Sequence, residues 1–205
     1  MSNQEHQQAA DRIVGIYRRH AGAWTGARRT DLMEKAWLDR FRTILRPGAA
    51  VLDIGCGPGD PIARYFTGNG HPVTGVDSSP EMIALFRQNL PDETAHVADM
   101  RRLNLGRKFG GVVAWDSFFH LRHDDQRAMF PVFRDHAEAG APLMFTSGPA
   151  FGEAIGTLEG EPLYHASLDA AEYRALLDQN GFDVVDHIVE DADCGGHTIW
   201  LARRR

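Results

Sequence analysis

The spacing of apolar residues changes its period near residue 50. Ahead of that point, residues 6–20 place Ile13, Ile16, Tyr17 and His20 on one helical face. A second helix is predicted from Thr30 to Leu45, with Met33, Trp37 and Phe41 four apart. Between them "AGAWTGARR", with two glycines, reads as a turn, and "RPGAA" ends the helical pattern.

From Ala50 onward short apolar runs alternate with helical stretches. "AVLDI", "PVTGV", "TAHVA", "GGVVAW" and "APLMFTS" read as five strands. "DPIARYFTGNG", "SPEMIALFRQNL", "DDQRAMFPVFRDHAEAG" and "DAAEYRALLDQNG" read as helices, the third distorted at Pro131. "FDVVDHIVE" and "HTIWLAR" close the chain as an antiparallel hairpin. Strand–helix alternation implies an α/β fold, a mostly parallel sheet with helices on both faces. The expected organisation is one domain over residues 1–205, with residues 1–45 as a helical cap and 46–205 as the core.

Composition narrows this little. The 205 residues are 43% hydrophobic and 24% charged, with a formal net charge of −6, so the basic balance of a general nucleic-acid binder is missing. Two cysteines, Cys56 and Cys194, do not make a disulfide framework or a zinc spacing. No apolar run approaches the roughly 20 residues of a membrane span, and "MSNQEHQQAAD" does not read as a signal peptide. The expectation is a soluble, cytoplasmic domain that holds no metal and binds neither nucleic acid nor membrane.

The candidate chemistry begins at "VLDIGCGPGD", where Gly55, Gly57 and Gly59 follow the first strand. In an open α/β sheet, ligands bind beyond the carboxyl ends of the strands. One glycine suffices for a tight turn; three, preceded by Asp53, point to a ligand passing close to the backbone. The G-x-G-x-G spacing is not the dinucleotide G-x-G-x-x-G, Asp60 at the mouth would repel a pyrophosphate, and no P-loop Lys follows. Asp77, at the end of the second strand, is placed to accept from both hydroxyls of a ribose. Asp99, at the end of the third, either accepts from an exocyclic adenine amine or caps a turn, with Met100 beside it as an apolar wall.

In this order and spacing, "VLDIGCGPGD", "VTGVDSSPEMI", "VADM" and "GGVVAWDSFFHL" resemble the class I S-adenosylmethionine-dependent methyltransferases of the small-molecule branch, closely over about residues 45–150. The resemblance implies a Rossmann-like seven-stranded sheet, ordered 3-2-1-4-5-7-6 with the last strand antiparallel. It implies S-adenosyl-L-methionine as cofactor. Asp53, Gly55, Cys56, Gly57 and Gly59 would pass the methionine moiety, Asp77 would bind ribose, and Asp99 with Met100 would meet adenine. Ser78 and Met82 match positions lining the adenine, and Trp115 falls with the cofactor group. Asp60 is less typical there.

The implied reaction is methyl transfer to an O, N or S atom of a small molecule. Aligning the acceptor and excluding water are then the protein's main tasks. Asp116 and His120 in "WDSFFHL" are the catalytic candidates, four apart on a short turn, with His120 taking a proton or orienting the acceptor and Asp116 either holding it or contacting the sulfonium side. Asp116-Ser117-Phe118-Phe119 is not the (D/N)-P-P-(Y/F) of enzymes methylating amino groups of nucleic acids. Tyr17, Trp24 and Trp37 in the cap, and Tyr164 and His165 in the glycine-rich connection "GPAFGEAIGTLEGEPLYHASLD", are expected around the acceptor. Two alternatives remain: a non-catalytic S-adenosylmethionine-binding or regulatory protein, and an NAD(P)-dependent oxidoreductase, which lacks its Tyr-x-x-x-Lys pair here.

Overall fold

A computed structural model describes residues 3–27 and 32–205. Two helices, α1 (Asn3–Ala27) and α2 (Lys35–Ile44), precede β1 (Val51–Ile54), α3 (Ile62–Gly68), β2 (Val73–Asp77), α4 (Pro80–Asn89), β3 (Thr94–Val97) and β4 (Gly111–Ala114). Then come α5 (His123–His136), β5 (Pro142–Ser147), β6 (Gly152–Leu158), β7 (Glu161–Ser167), α6 (Ala170–Gln179), β8 (Phe182–Asp191) and β9 (His197–Arg204).

Seven strands form one sheet in the order β3-β2-β1-β4-β5-β9-β8. The first five are parallel, and β9 runs antiparallel to both β5 and β8. With β8 and β9 counted as the sixth and seventh sheet strands, this is the expected order. Alternation sorts the strand residues onto two faces. Leu52, Val112 and Phe145 pack with α5 and α6, whereas Val51, Val113 and Met144 pack with α2, α3 and α4. A strand covered on both sides needs a near-continuous apolar run, which β4 supplies and β1 supplies apart from Asp53. Helix starts follow local chemistry: Ser79 accepts from the Met82 amide at 3.2 Å with Pro80 in the first turn of α4, and Asp169 caps α6.

The glycine-rich connection after β5 is not a loop. Residues 152–167 form a β-hairpin, β6 paired with β7, turning at Glu159-Gly160, both at positive φ. Two central residues at positive φ suit a two-residue hairpin turn, and glycine content masked the alternation that flanks it. Nor does α1 end at a turn near residue 20. It bends at His20 and continues to Ala27, because Ala21 is buried and tertiary packing outweighs the propensity cost of Gly22 and Gly26. The second helix begins at Lys35, with Met33 in the preceding turn, while the expected start at Thr30 lies outside the described residues, and α5 runs through Pro131 as one helix. Ala9, Ile13 and Ile16 of α1 pack on Leu163, Tyr164 and Ala166 of β7, so α1 and the hairpin share an apolar cluster.

Candidate active site

The carboxyl ends of β1, β2 and β4 and the segment after β3 open into one cavity, roofed by α1 through Ile13, Val14 and Tyr17. The three glycines behind β1 have different reasons for being bare. A Cβ on Gly55 would sit 2.1 Å from the Ser117 Cβ, and one on Gly59 would sit 2.6 Å from the Phe86 ring. Both are required by the protein's own packing. Gly57, at φ 52°, has no atom within 4 Å of a Cβ position and lies on the cavity wall, so it alone keeps its space open to a ligand.

Asp77 ties the second strand tip to that turn. Its carboxylate accepts from the Gly57 amide at 3.0 Å and from the Ser79 amide at 2.8 Å. Burial raises its pKa, and these amide hydrogen bonds oppose the rise. Asp53, Cys56, Ser78 and Met82 line the same cavity. Burial, then Asp53 and Asp77, push the Cys56 thiol well up, which makes it a filler and not a nucleophile. Asp99 lies on the wall beside Met100, but its carboxylate caps the next turn and accepts from Arg101 Nε at 3.0 Å and Nη2 at 2.6 Å. Arg101 holds its pKa below the ordinary carboxylate range. Asp60 accepts from Arg64 Nε at 2.7 Å.

The far end of the cavity is built behind β4. Ser117 donates to the Ile54 carbonyl at 2.7 Å, and a short 3-10 turn, Phe118–His120, aims the His120 ring inward. His120 Nδ1 lies 2.8 Å from the Tyr164 carbonyl, which only accepts, so Nδ1 carries the proton. Nε2 then accepts from the Tyr17 hydroxyl at 2.8 Å. Burial, helped by His165, lowers the His120 pKa to about 4, so the ring is neutral at pH 7. Burial and then Asp116 raise the Tyr17 phenol.

Asp116 does not hold His120. It stands at positive φ, takes its amide bond to Thr146 Oγ1 at 2.9 Å, and places Oδ1 3.0 Å from His197 Nε2. Sequence reasoning missed His197 because nothing in "GGHTIW" signals it. The antiparallel course of β9 brings its first residues to the carboxyl end of β5, where Thr198 pairs with Ser147. The His197 ring stacks on Trp115, a cavity-wall residue, at 5.4 Å.

The acceptor-pocket candidates divide. Tyr17 lines the cavity. Trp37 does not: it is a core residue on the buried face of α2, its indole donating to Asp191 at 2.7 Å, because its helical stripe faces the sheet. The Tyr164 side chain is buried against α1 and donates to Glu153 at 2.6 Å, so it acts on the site through its carbonyl. His165 packs 4.8 Å from His120 and lines a separate, more open cleft with Phe119 and Ser147. The Trp24 side chain lies outside the described residues. Among the described residues, no three His, Cys, Asp or Glu side chains group as a metal ion would need.

Comparison with known proteins agrees with this geometry. Residues 51–140 match a family model described as a methyltransferase domain. A dTDP-3-amino-3,4,6-trideoxy-alpha-D-glucopyranose N,N-dimethyltransferase of Streptomyces venezuelae is 34% identical over 108 residues, 52% of this chain and 45% of that protein. An O-methyltransferase of Pyrenophora dematioidea is 28% identical over 169 residues, 77% of this chain and 62% of that one. The chain thus spans less than two thirds of these relatives. CalS10, an amino pentose methyltransferase from Micromonospora echinaspora solved with S-adenosylmethionine, superposes with a TM-score of 0.73 at 20% identity, covering 91% of this chain and 96% of its own. With the glycine turn, the strand-tip carboxylates and the sheet order all in place, the chain has the fold of the class I S-adenosylmethionine-dependent methyltransferases, and its residues 51–140 match the methyltransferase-domain family.

Proposed function

We propose that this protein transfers the methyl group of S-adenosyl-L-methionine to a nitrogen or oxygen of a small molecule, with an amine as the first choice. One observation carries the reading: the Gly57 opening, the Asp77 carboxylate, the Asp99 edge and the Tyr17–His120 pair face a single roofed cavity. The cavity suits an adenosyl amino acid. Gly57 leaves room against the backbone, and Asp77 presents acceptors suited to ribose hydroxyls. Trp115 Nε1 is a buried donor with no partner among the described residues, complementary to a ligand that brings a carboxylate.

When bound, S-adenosylmethionine supplies a methyl group on a sulfonium that departs as a neutral thioether. The chain supplies position. Asp77 and the glycine turn hold the adenosyl end, and α1 closes over it to exclude water. His120 fixes the hydroxyl hydrogen of Tyr17 on its own Nε2, which turns the remaining phenolic lone pairs outward as acceptors. An amine that donates its N–H there presents its lone pair without needing a strong base. A His120 pKa near 4 fits that role: the ring orients and does not store the proton. The names of the Streptomyces venezuelae relative and of CalS10, both acting on amino sugars, support nitrogen.

Two measurements test the proposal. Calorimetry is expected to show binding of S-adenosylhomocysteine and none of NADH; the reverse would identify an oxidoreductase. Transfer of a labelled methyl group to a panel of small amines, alcohols and thiols is expected to favour amines. Binding without transfer to any acceptor would leave the protein a cofactor-binding regulator.

A further inference from the structure

His197 belongs to no helix or loop near the glycine turn and does not itself line the cavity, yet its ring lies directly behind two residues that do, Trp115 and Asp116. It comes from the start of β9, preceded by a short 3-10 turn, Ala192–Cys194. These contacts help to fix it. Nδ1 lies 2.7 Å from the Cys194 carbonyl, Nε2 lies 3.0 Å from Asp116 Oδ1, and the ring stacks on Trp115 with an interplanar angle of 27°. A neutral imidazole donates from one nitrogen only. Here both nitrogens face oxygens, one a carbonyl that cannot donate.

We propose that His197 is a positioning residue of this site: doubly protonated and anchored on the Cys194 carbonyl, it holds the Asp116 carboxylate at the tip of β4 as a fixed acceptor for an N–H or O–H of the methyl acceptor. The inference rests on the methyltransferase reading given above. Held this way, Asp116 is a fixed hydrogen-bond acceptor, an orienting group for the methyl acceptor. It also accounts for a non-glycine residue at positive φ on the cavity wall. At φ 47° Asp116 presents its carboxylate toward the start of β9, and such a conformation persists where the surroundings over-determine it. The Thr146 hydroxyl, which accepts from the Asp116 amide, is the second support.

The test uses the intact protein with ¹⁵N-labelled histidine and the variants His197→Gln, His197→Phe and Asp116→Asn. Long-range ¹⁵N spectra at pH 7 are expected to show one ring with both nitrogens protonated. That signal should be absent from His197→Phe, and Asp116→Asn should convert it to a neutral ring. A neutral His197 in the wild type, or no response to Asp116→Asn, would overturn the proposal. The second readout is methyl transfer to the acceptor the wild type uses. His197→Phe keeps an aromatic ring on Trp115 but no donor, and is expected to lower kcat at least tenfold with S-adenosylhomocysteine affinity within about twofold. His197→Gln restores a donor and is expected to recover most of that loss. Equal losses in the two variants would reduce His197 to packing. Failure of the wild type to bind S-adenosylhomocysteine would instead sink the underlying reading, and the ¹⁵N result would stand apart from it.

Discussion

The Tyr17 hydroxyl and His120 Nε2 share a 2.8 Å hydrogen bond across 103 residues of sequence, joining the roof of the cavity to its floor. Because the Tyr164 carbonyl fixes the His120 tautomer, the direction of that bond is set: the phenol donates and the imidazole accepts. A cap helix and a strand-tip turn thus form one functional unit.

Tyr17→Phe removes the phenolic oxygen and leaves the ring. Methyl transfer is expected to fall at least tenfold, while calorimetric affinity for S-adenosylhomocysteine stays within a few-fold. His120→Ala should behave alike, since it releases the same hydroxyl, and the double variant should be little worse than either single one. Additive losses would separate the two residues.

Asp77→Asn keeps the shape but loses the charge, and its amide can no longer accept at both positions. Hydrogen bonds to a charged group contribute about 1.5–3 kcal/mol, so affinity for S-adenosylhomocysteine is expected to drop by roughly 10- to 100-fold. Calorimetry on the folded variant decides this, and unchanged affinity would remove Asp77 from the ribose.

Gly55 and Gly57 should part company on substitution. Gly55→Ala drives a Cβ into Ser117 and is expected to lower stability by about 1–3 kcal/mol, the range for overpacking, in addition to its positive-φ strain. Gly57→Ala meets no atom and bears only the backbone strain of about 1–2 kcal/mol, yet it should weaken S-adenosylhomocysteine binding because its methyl occupies the opening. Denaturant titration beside calorimetry distinguishes a packing glycine from a ligand glycine.

The buried His120 makes stability fall in acid. Its folded-state pKa of about 4 lies below the unfolded value near 6.5. Between those values the unfolded chain binds more protons, so its stabilising effect is complete above about pH 6.5 and is lost as pH falls toward 4, on the order of 3 kcal/mol in all. Urea unfolding at pH 7 and pH 4.5 should show a larger acid loss for the wild type than for His120→Gln. An identical loss would mean the ring charges freely in the folded state.

Much of this was legible from the sequence by itself. The periods of the apolar residues determined the strands and helices after Ala50, and with them the sheet. The glycine turn and Asp77 located the edge at which the cavity opens, since the carboxyl ends of parallel strands must share one side. Those signals are local, for a residue's face follows from backbone geometry alone. Glycine content in residues 148–169 hid a hairpin, because composition is blind to alternation.

Only the tertiary structure decided which groups meet. It showed that packing keeps Gly55 and Gly59 bare while Gly57 faces open space, moved Trp37 into the core, turned Asp99 toward Arg101, and gave Asp116 to His197 in place of His120. The reason is that side-chain partnerships are fixed by strand register and by the direction of each strand. β9 runs antiparallel beside β5, so the start of the last strand arrives at the edge where the parallel strands end. No spacing along the chain encodes that encounter; the closed sheet does.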